Sequence, residues 1–591
     1  MQNNIYLVFC CLFVTILFSS NSFSANLKEP ELASKNLLTQ EQIVASKYAI
    51  STSHPLATEA GLKILQKGGN AVDAAIAASL VLGVVEPQAS GIGGGGFATL
   101  YNSSTKTFVT FDGRELAPEL ANENMFLKDG KEREFYDVVH GGLSVGVPGY
   151  VSLINLMHSK YGRFSWSALF TDAINIANNG FSVSQRLAVH TEEIEKKYLS
   201  RIDFKDWHIY FNGLKAKKEN DIIVNKELAK TLSYIKNSPH YFYSKFYADR
   251  ISQRLTRLDV NKGIMLASDI TKYKALIKDP VCIIYREVYK ICGPDGPSSA
   301  VTIMQALKIL ENFNLSQVYK KDPNLVIYLA NEALRLALAD RAAVIGDRAF
   351  NEYNPMDLVD SFYTKTRSQF IDLQNTIKNI PIGLKPLSKD TSKSETTTHI
   401  SVIDSHGNAV SMTNSIENFF GSFTMLDGFI FNNTMTDFGF NPQNADSSPN
   451  VNKIQAFKRP RSAMSPIIVT NIQDGSVALV VGSPGGVRIL SFVLKSIILA
   501  LDIKLEPRVV LSAPNFASIA ADGGKIELEK RAKYALINTK KILKDRGVIV
   551  DFENDLVSGV NLIASYKDPK DGSLKYKAAA DFRRQGLASG F

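Results

Sequence analysis

The chain has 591 residues, 45% of them hydrophobic and 21% charged, with a formal net charge of +9. This is globular composition with material for a large core, which excludes a disordered or fibrous chain. The positive excess comes without any dense Lys/Arg run interleaved with aromatics, so nothing points to a nucleic-acid partner.

The first element is "IYLVFCCLFVTILF", Ile5 to Phe18, an apolar run too short to cross a bilayer comfortably. Ser22 and Ser24 follow as small residues suited to cleavage before Ala25. The segment reads as a secretory signal peptide over residues 1–24, implying a periplasmic or secreted protein. No Lys or Arg precedes the apolar run, a feature shared with uncleaved membrane anchors. No later segment is long and apolar enough to span a membrane. Cys10 and Cys11 would leave with the leader, and Cys282 and Cys292 remain. These two flank "IIYREVYKI", a short hairpin pattern, and either form a cross-strand disulfide in an oxidising compartment or stay as buried thiols. Their spacing supports neither cysteine catalysis nor a zinc site.

"HPLATEAGLKILQKGGNAVDAAIAASLVLGVVEPQ" predicts two helices. Leu56, Ala60, Ile64 and Leu65 set the period of the first, which Gly68 and Gly69 end. Asn70 caps the second, with Asp73 three residues on. Ala71 to Val85 is apolar nearly all round, so this helix is expected to be buried. "SGIGGGGFATLYN" then formally matches G-x-G-x-x-G. A dinucleotide site needs a strand before that motif and a helix after it. Here the order is reversed, so the glycines are read as bringing backbone close to a buried site. "KTFVTFDGRELAP" is a further strand, ending at Arg114.

The middle, roughly 145–375, is predicted to be mainly helical. Residues 376–396 are polar and read as an exposed loop. From 397 the pattern changes to strands. "TTHISVID", the turn "SHGN" and "AVSMTNS" predict a hairpin that sets Ser415 across from Thr397 and Thr398. "VALVVGSPGGVRILSFVLKSIILAL" predicts a buried strand, a glycine-rich turn and a helix.

Chemistry enters at the hairpin. Breaking the Thr396–Thr397 bond would give Thr397 a free amine with a pKa near ~8, able to accept the proton of its own hydroxyl. Ser415 could orient that hydroxyl. Gly485 and Gly486, between strand and helix, could offer backbone N–H groups as an oxyanion hole. The planar fork of Arg114 suits a carboxylate and Asp437 suits an ammonium. Together they fit an amino-acid head group. His399 turns to the face opposite Thr398 and receives no catalytic role. This chemistry calls for no metal or organic cofactor.

"GGNAVDAAIA", "SGIGGGGF", "DGRELAP", "TTHISVID", "HGNAVS", "NNTMTDF", "RPRSAMSP" and "GSPGG", in that order, resemble the γ-glutamyltransferase (γ-glutamyltranspeptidase) family of N-terminal-nucleophile hydrolases. The resemblance covers roughly residues 45–591. It implies an α/β fold, a four-layer αββα sandwich, built from a large subunit (25–396) and a small one (397–591) cut from one precursor. It also implies that Thr397 is the nucleophile, Ser415 its support, and Gly485 and Gly486 the oxyanion hole. Arg114 and Ser462 would bind the donor's α-carboxylate, with Asp437 and Glu417 at its α-amine. The implied substrates are glutathione and other γ-glutamyl compounds, with water, amino acids or peptides as acceptors. The chain departs from the family pattern in places: Ser415 stands where Thr is usual, and the segment 438–457, where some members carry a Tyr-bearing lid, contains no Tyr, which with Ala463 motivates a different acyl donor. Arg461 replaces Leu, Ala463 replaces a Ser that helps to hold the carboxylate, and Thr434 replaces Gln or Glu. The loss at Ala463 leaves carboxylate binding weaker or shifted to Arg461. It also motivates a rival, an acylase or poly-γ-glutamate capsule-processing enzyme on the same fold with another donor. A rival of a different class is an uncut, inactive binding protein.

Overall fold

The computed structural model describes residues 42–380, 383, 396–521, 525–552 and 554–591. The leader with Cys10 and Cys11, and most of the polar 376–396 loop, lie outside the described residues. Among the described residues no helix is long and apolar enough to cross a membrane.

The first two helices follow their local signals. Pro55–Gln66 is one helix, after which Gly68 takes a φ of +86° that ends it. Asn70 then caps Ala71–Val85, accepting a bond from the Asp73 amide while Asp73 accepts one from the Asn70 amide. Every residue of this second helix except Gly83 is buried.

Two seven-stranded antiparallel sheets form the centre. In the first the order is Leu276–Lys278, Thr107–Gly113, Gly95–Asn102, Ala409–Ser415, Thr398–Ile403, Ala49–Thr52 and Leu587–Gly590. In the second it is Ile43–Ala45, Leu574–Ala580, Asn561–Lys567, Val477–Gly482, Ile467–Asn471, Tyr289–Gly293 and Val281–Tyr285. The sheets pack face to face. Helices 55–66 and 71–85 cover the outside of the first, and helices 300–310 and 489–497 cover the outside of the second, with helix 323–344 packed on these two. This is the expected four-layer αββα sandwich.

The hairpin at 397–415 forms, with Ile403 opposite Ala409 and Thr398 opposite Asn414 rather than Ser415, so that Ser415 faces Thr397 alone. Its alternation resembles that of a strand with one wet face, yet both strands are buried throughout. The apolar side chains Ile400, Val402, Val410 and Met412 join the core containing helix 71–85. The polar ones turn toward the other sheet: Ser401 donates to Asn561 O at 2.9 Å and Ser411 to Val481 O at 3.1 Å.

The middle of the chain is less uniformly helical than its pattern suggests. Leu276–Lys278 joins the edge of one sheet, and Val281–Tyr285, after two intervening residues, starts the edge of the other. The hairpin of Val281–Tyr285 and Tyr289–Gly293 is the one read around Cys282 and Cys292, whereas Leu276–Lys278, three residues long, is too short to interrupt the helical signal of its neighbours. Cys282 lies directly opposite Cys292 in this edge hairpin, and the two form a disulfide.

Candidate active site

Thr396 and Thr397 sit at the mouth of the hairpin, both buried. Thr396 is held twice by the main chain of Glu417, whose carbonyl accepts from Thr396 N at 3.1 Å and from Thr396 Oγ1 at 3.0 Å. Gln88 O accepts from the same hydroxyl at 3.1 Å. Glu417 reaches these positions with a φ of +78°, a left-handed conformation uncommon for a residue with a side chain. The surrounding packing imposes it, as is usual for strained residues at functional sites.

Two hydroxyls converge on the carbonyl between the threonines. Thr397 Oγ1 lies 2.6 Å from Thr396 O, and Ser415 Oγ lies 2.8 Å from it. The two hydroxyls are 3.2 Å apart. Ser415 Oγ also accepts a bond from Glu417 N at 2.8 Å, which orients its own proton toward the Thr396 carbonyl. Two hydroxyls thus meet at one peptide group.

A narrow cleft of about 10 Å³ lies beside them, with Arg114, Thr397, Ser415, Asp437, Ser462 and Gly486 in its wall. Gly485 and Gly486 have φ values of +128° and +59°, so the turn from strand 477–482 into helix 489–497 depends on glycine. Gly485 stands just behind Gly486, outside the wall itself.

Arg114 follows the last residue of strand 107–113 and is 1% exposed. Its guanidinium pairs with Asp437, donates to Glu115 at 3.2 Å, and donates to the main-chain oxygens of Pro460 (3.2 Å) and Arg461 (3.3 Å). The two groups assigned to opposite charges of a ligand therefore hold each other. Burial pushes the Glu115 carboxyl up to about 7, against the pull of Arg114. Its Oε1 is buried without a hydrogen-bond partner. Glu417 Oε2 accepts from Asn433. Ser462 borders the cleft while its main chain is fixed by Pro297 O and by the Ser299 hydroxyl, at 2.9 and 2.6 Å.

The departures from the family pattern have distinct fates. Arg461 donates from one guanidinium nitrogen to Arg341 O, Ala342 O and Ile345 O, at 3.1, 3.3 and 3.4 Å. It therefore caps the end of helix 323–344, a favourable place for a cation, and forms no part of the cleft wall. Burial lowers it to about 10, with Asp437 opposing. Ala463 lines the cleft. Thr434 donates from both N (3.0 Å) and Oγ1 (2.6 Å) to Asn432 Oδ1, and faces no charged partner there.

Several contributors escape sequence reasoning. Asn432 donates to Gly93 O and Gly146 O, both at 2.8 Å, joining two glycine loops behind the site. Asn452 holds Asp437 O at 2.7 Å and accepts from Arg461 N at 2.9 Å. The Asn-Asn pair of "NNTMTDF" was the only available signal for the first. Nothing in the sequence marks Asn452.

The sequence matches the Gamma-glutamyltranspeptidase family over residues 57–591. It is 33% identical over 594 residues to the glutathione hydrolase proenzyme of Bacillus subtilis (strain 168), covering 98% of this chain and 97% of that protein. Among solved structures, the Helicobacter pylori gamma-glutamyltranspeptidase is 35% identical with a TM-score of 0.51, over 57% of this chain and 94% of that one. The cephalosporin acylase of Bacillus halodurans superposes with a TM-score of 0.82 at 22% identity, over 95% of this chain and 98% of that one, a likeness of fold.

Proposed function

The chain belongs to the gamma-glutamyltranspeptidase family, and from that premise we propose that it is a glutathione hydrolase and γ-glutamyltransferase that cuts its own precursor between Thr396 and Thr397. The observation that carries the reading is the convergence of the Thr397 and Ser415 hydroxyls on the Thr396 carbonyl.

In the precursor, Thr397 Oγ1 adds to the Thr396 carbonyl carbon. The oxygen gains negative charge and is stabilised by the Ser415 hydroxyl. The C–N bond then breaks, the Thr397 nitrogen takes up the proton that Oγ1 gave up on attack, and the remaining ester is hydrolysed by water. The products are a large subunit ending at Thr396 and a small one beginning at Thr397.

In the cut enzyme the free Thr397 amine accepts the proton of the adjacent hydroxyl, which attacks the γ-amide carbon of the donor. Gly485 and Gly486 face the developing oxyanion with main-chain N–H groups. The protonated amine returns its proton to the leaving nitrogen. Water or the amine of an amino acid or peptide then takes the γ-glutamyl group from the ester. Arg114 and Ser462 receive the donor's α-carboxylate, and Asp437 with Glu417 its α-ammonium. A zwitterionic head group exchanges one ion pair, Arg114–Asp437, for two, so binding leaves no buried charge uncompensated.

The donor is tested by comparing a γ-glutamyl anilide with a glutaryl anilide, which lacks the α-ammonium. The expected result is turnover of the first only. Equal turnover would favour the acylase reading that Ala463 keeps open. N-terminal sequencing of the smaller fragment should begin at Thr397, and any other start removes the proposed nucleophile. For the leader, cleavage before Ala25 and export to the periplasm or medium are expected.

A further inference from the structure

Two consecutive arginines near the last strand, Arg583 and Arg584, have different partners. Asp581 caps the short turn Phe582–Arg584. Arg583 pairs with Glu529 at 2.8 Å and Asp581 at 3.2 Å, an ordinary buried ion-pair cluster. Arg584 is 1% exposed, and its guanidinium donates to Thr397 O at 2.7 Å across 187 residues of sequence. Its stem runs through a slot that exists because residue 559 is glycine. A Cβ there would stand 2.6 Å from Arg584 Cδ and 2.6 Å from Pro484 Cγ. The same slot thus sets Arg584 beside the turn that carries Gly485 and Gly486.

We infer that Arg584 is a positioning residue for the nucleophile: by holding the Thr397 carbonyl, it keeps the first residue of the small subunit between Ser415 and the Gly485–Gly486 turn. The inference rests on the proposed role of Thr397. Its physical basis is a change of anchorage on cutting. In the intact chain Thr397 is fixed from both sides. On its nitrogen side Thr396 is bonded to Glu417 O and Gln88 O, and on its carboxyl side the hairpin ladder begins at Thr398. Scission removes the first anchor, and a chain end without one frays. The bond from Arg584 to Thr397 O is untouched by scission and, together with the Thr397–Ser415 hydroxyl contact, stops Thr397 from swinging out of line. Arg584 therefore matters more to the cut enzyme than to the precursor. A misplacement of about 1 Å at a reacting centre costs on the order of 10²-fold in rate.

The test uses the full-length chain as parent, Arg584→Gln and Arg584→Lys. Gel electrophoresis follows self-cleavage. Turnover of a γ-glutamyl anilide gives kcat per cut molecule, and inhibition by L-glutamate probes the head-group site alone. For Arg584→Gln, cleavage should finish with a slowing of less than about tenfold, while kcat per cut molecule falls roughly 10- to 100-fold and the glutamate Ki stays within about twofold. Arg584→Lys, which keeps the buried charge, should fall between the two, and it carries the comparison if the Gln variant melts early. Parental kcat in the cut Gln variant overturns the inference. So does a Ki that worsens in step with kcat, since that reports general damage. So does a block at cleavage with the parent's Tm, because it reverses the expected order. Failure of the proposed function looks different: the parent itself would neither cut nor turn over a γ-glutamyl donor.

Discussion

One polar stripe runs along the inner face of the 397–415 hairpin, and its middle behaves unlike its end. In the middle, His399 Nδ1 is 2.8 Å from Thr413 Oγ1 and His399 Nε2 is 3.1 Å from Ser401 Oγ. Ser401 and Ser411 donate to main-chain oxygens of the opposite sheet. Each hydroxyl there has a settled partner between two sheets, and burial pulls His399 down to about 3, so it remains neutral. At the end, two residues from His399, Thr397 and Ser415 are equally buried but aim at a peptide carbonyl beside a cleft. Residue type and burial are the same in both places. What differs is whether the acceptor can be attacked and whether space adjoins it. Buried hydroxyls satisfied by inert partners are structure, and the same groups turned on an electrophile are chemistry.

Substitutions can break this contrast at either place. The largest effect is expected from Thr397→Ala, which removes the attacking oxygen: the variant should remain a single chain on denaturing gels after prolonged incubation. Two normal fragments from it would sink the assignment. Ser415→Ala keeps the nucleophile but takes one donor from the Thr396 carbonyl. Self-cleavage should slow by about 10²- to 10³-fold, the usual consequence of losing an oxyanion donor, and time-resolved gels read it directly. At the sealed middle, His399→Gln should cost roughly 1–3 kcal/mol of stability through lost buried hydrogen bonds, measured by thermal melting, and leave kcat within about threefold. The same residue predicts a pH effect. His399 is held near 3 in the fold against an ordinary 6.5, so the unfolded chain takes up the proton first. Its contribution to stability is present above pH 6.5 and declines as pH falls toward 3, by up to about 1.4 kcal/mol per pH unit. The Gln variant should lack that part of the acid slope.

The ease of reading these features from sequence tracks their range. The Asn70–Asp73 cap and the strand–turn–helix at 477–497 are local, and the hairpin turn fixes which residue lies across from Thr397. The pairing of Arg114, just past strand 107–113, with Asp437 of the turn 434–437, 323 residues away, is a meeting that no local pattern encodes. Side-chain chemistry and resemblance both point to the two residues but not to their mutual pairing. Arg461 was open to misreading for the same reason: a cation near a binding motif suggests a ligand contact, and only the position of the end of helix 323–344 reveals a cap. Arg584 follows an arginine with plain ion-pair partners, and nothing in "DFRRQG" tells one from the other.

The bonds that hold Thr396 have a consequence for timing. They keep its carbonyl where an incoming acyl carbonyl must later sit, against Thr397 Oγ1. Under the proposed scission the new chain end begins as an occupant of the site it has just created. Maturation then comprises two events, breakage and vacancy, and a gel registers only the first. A lag between fragment appearance and first turnover would measure the second.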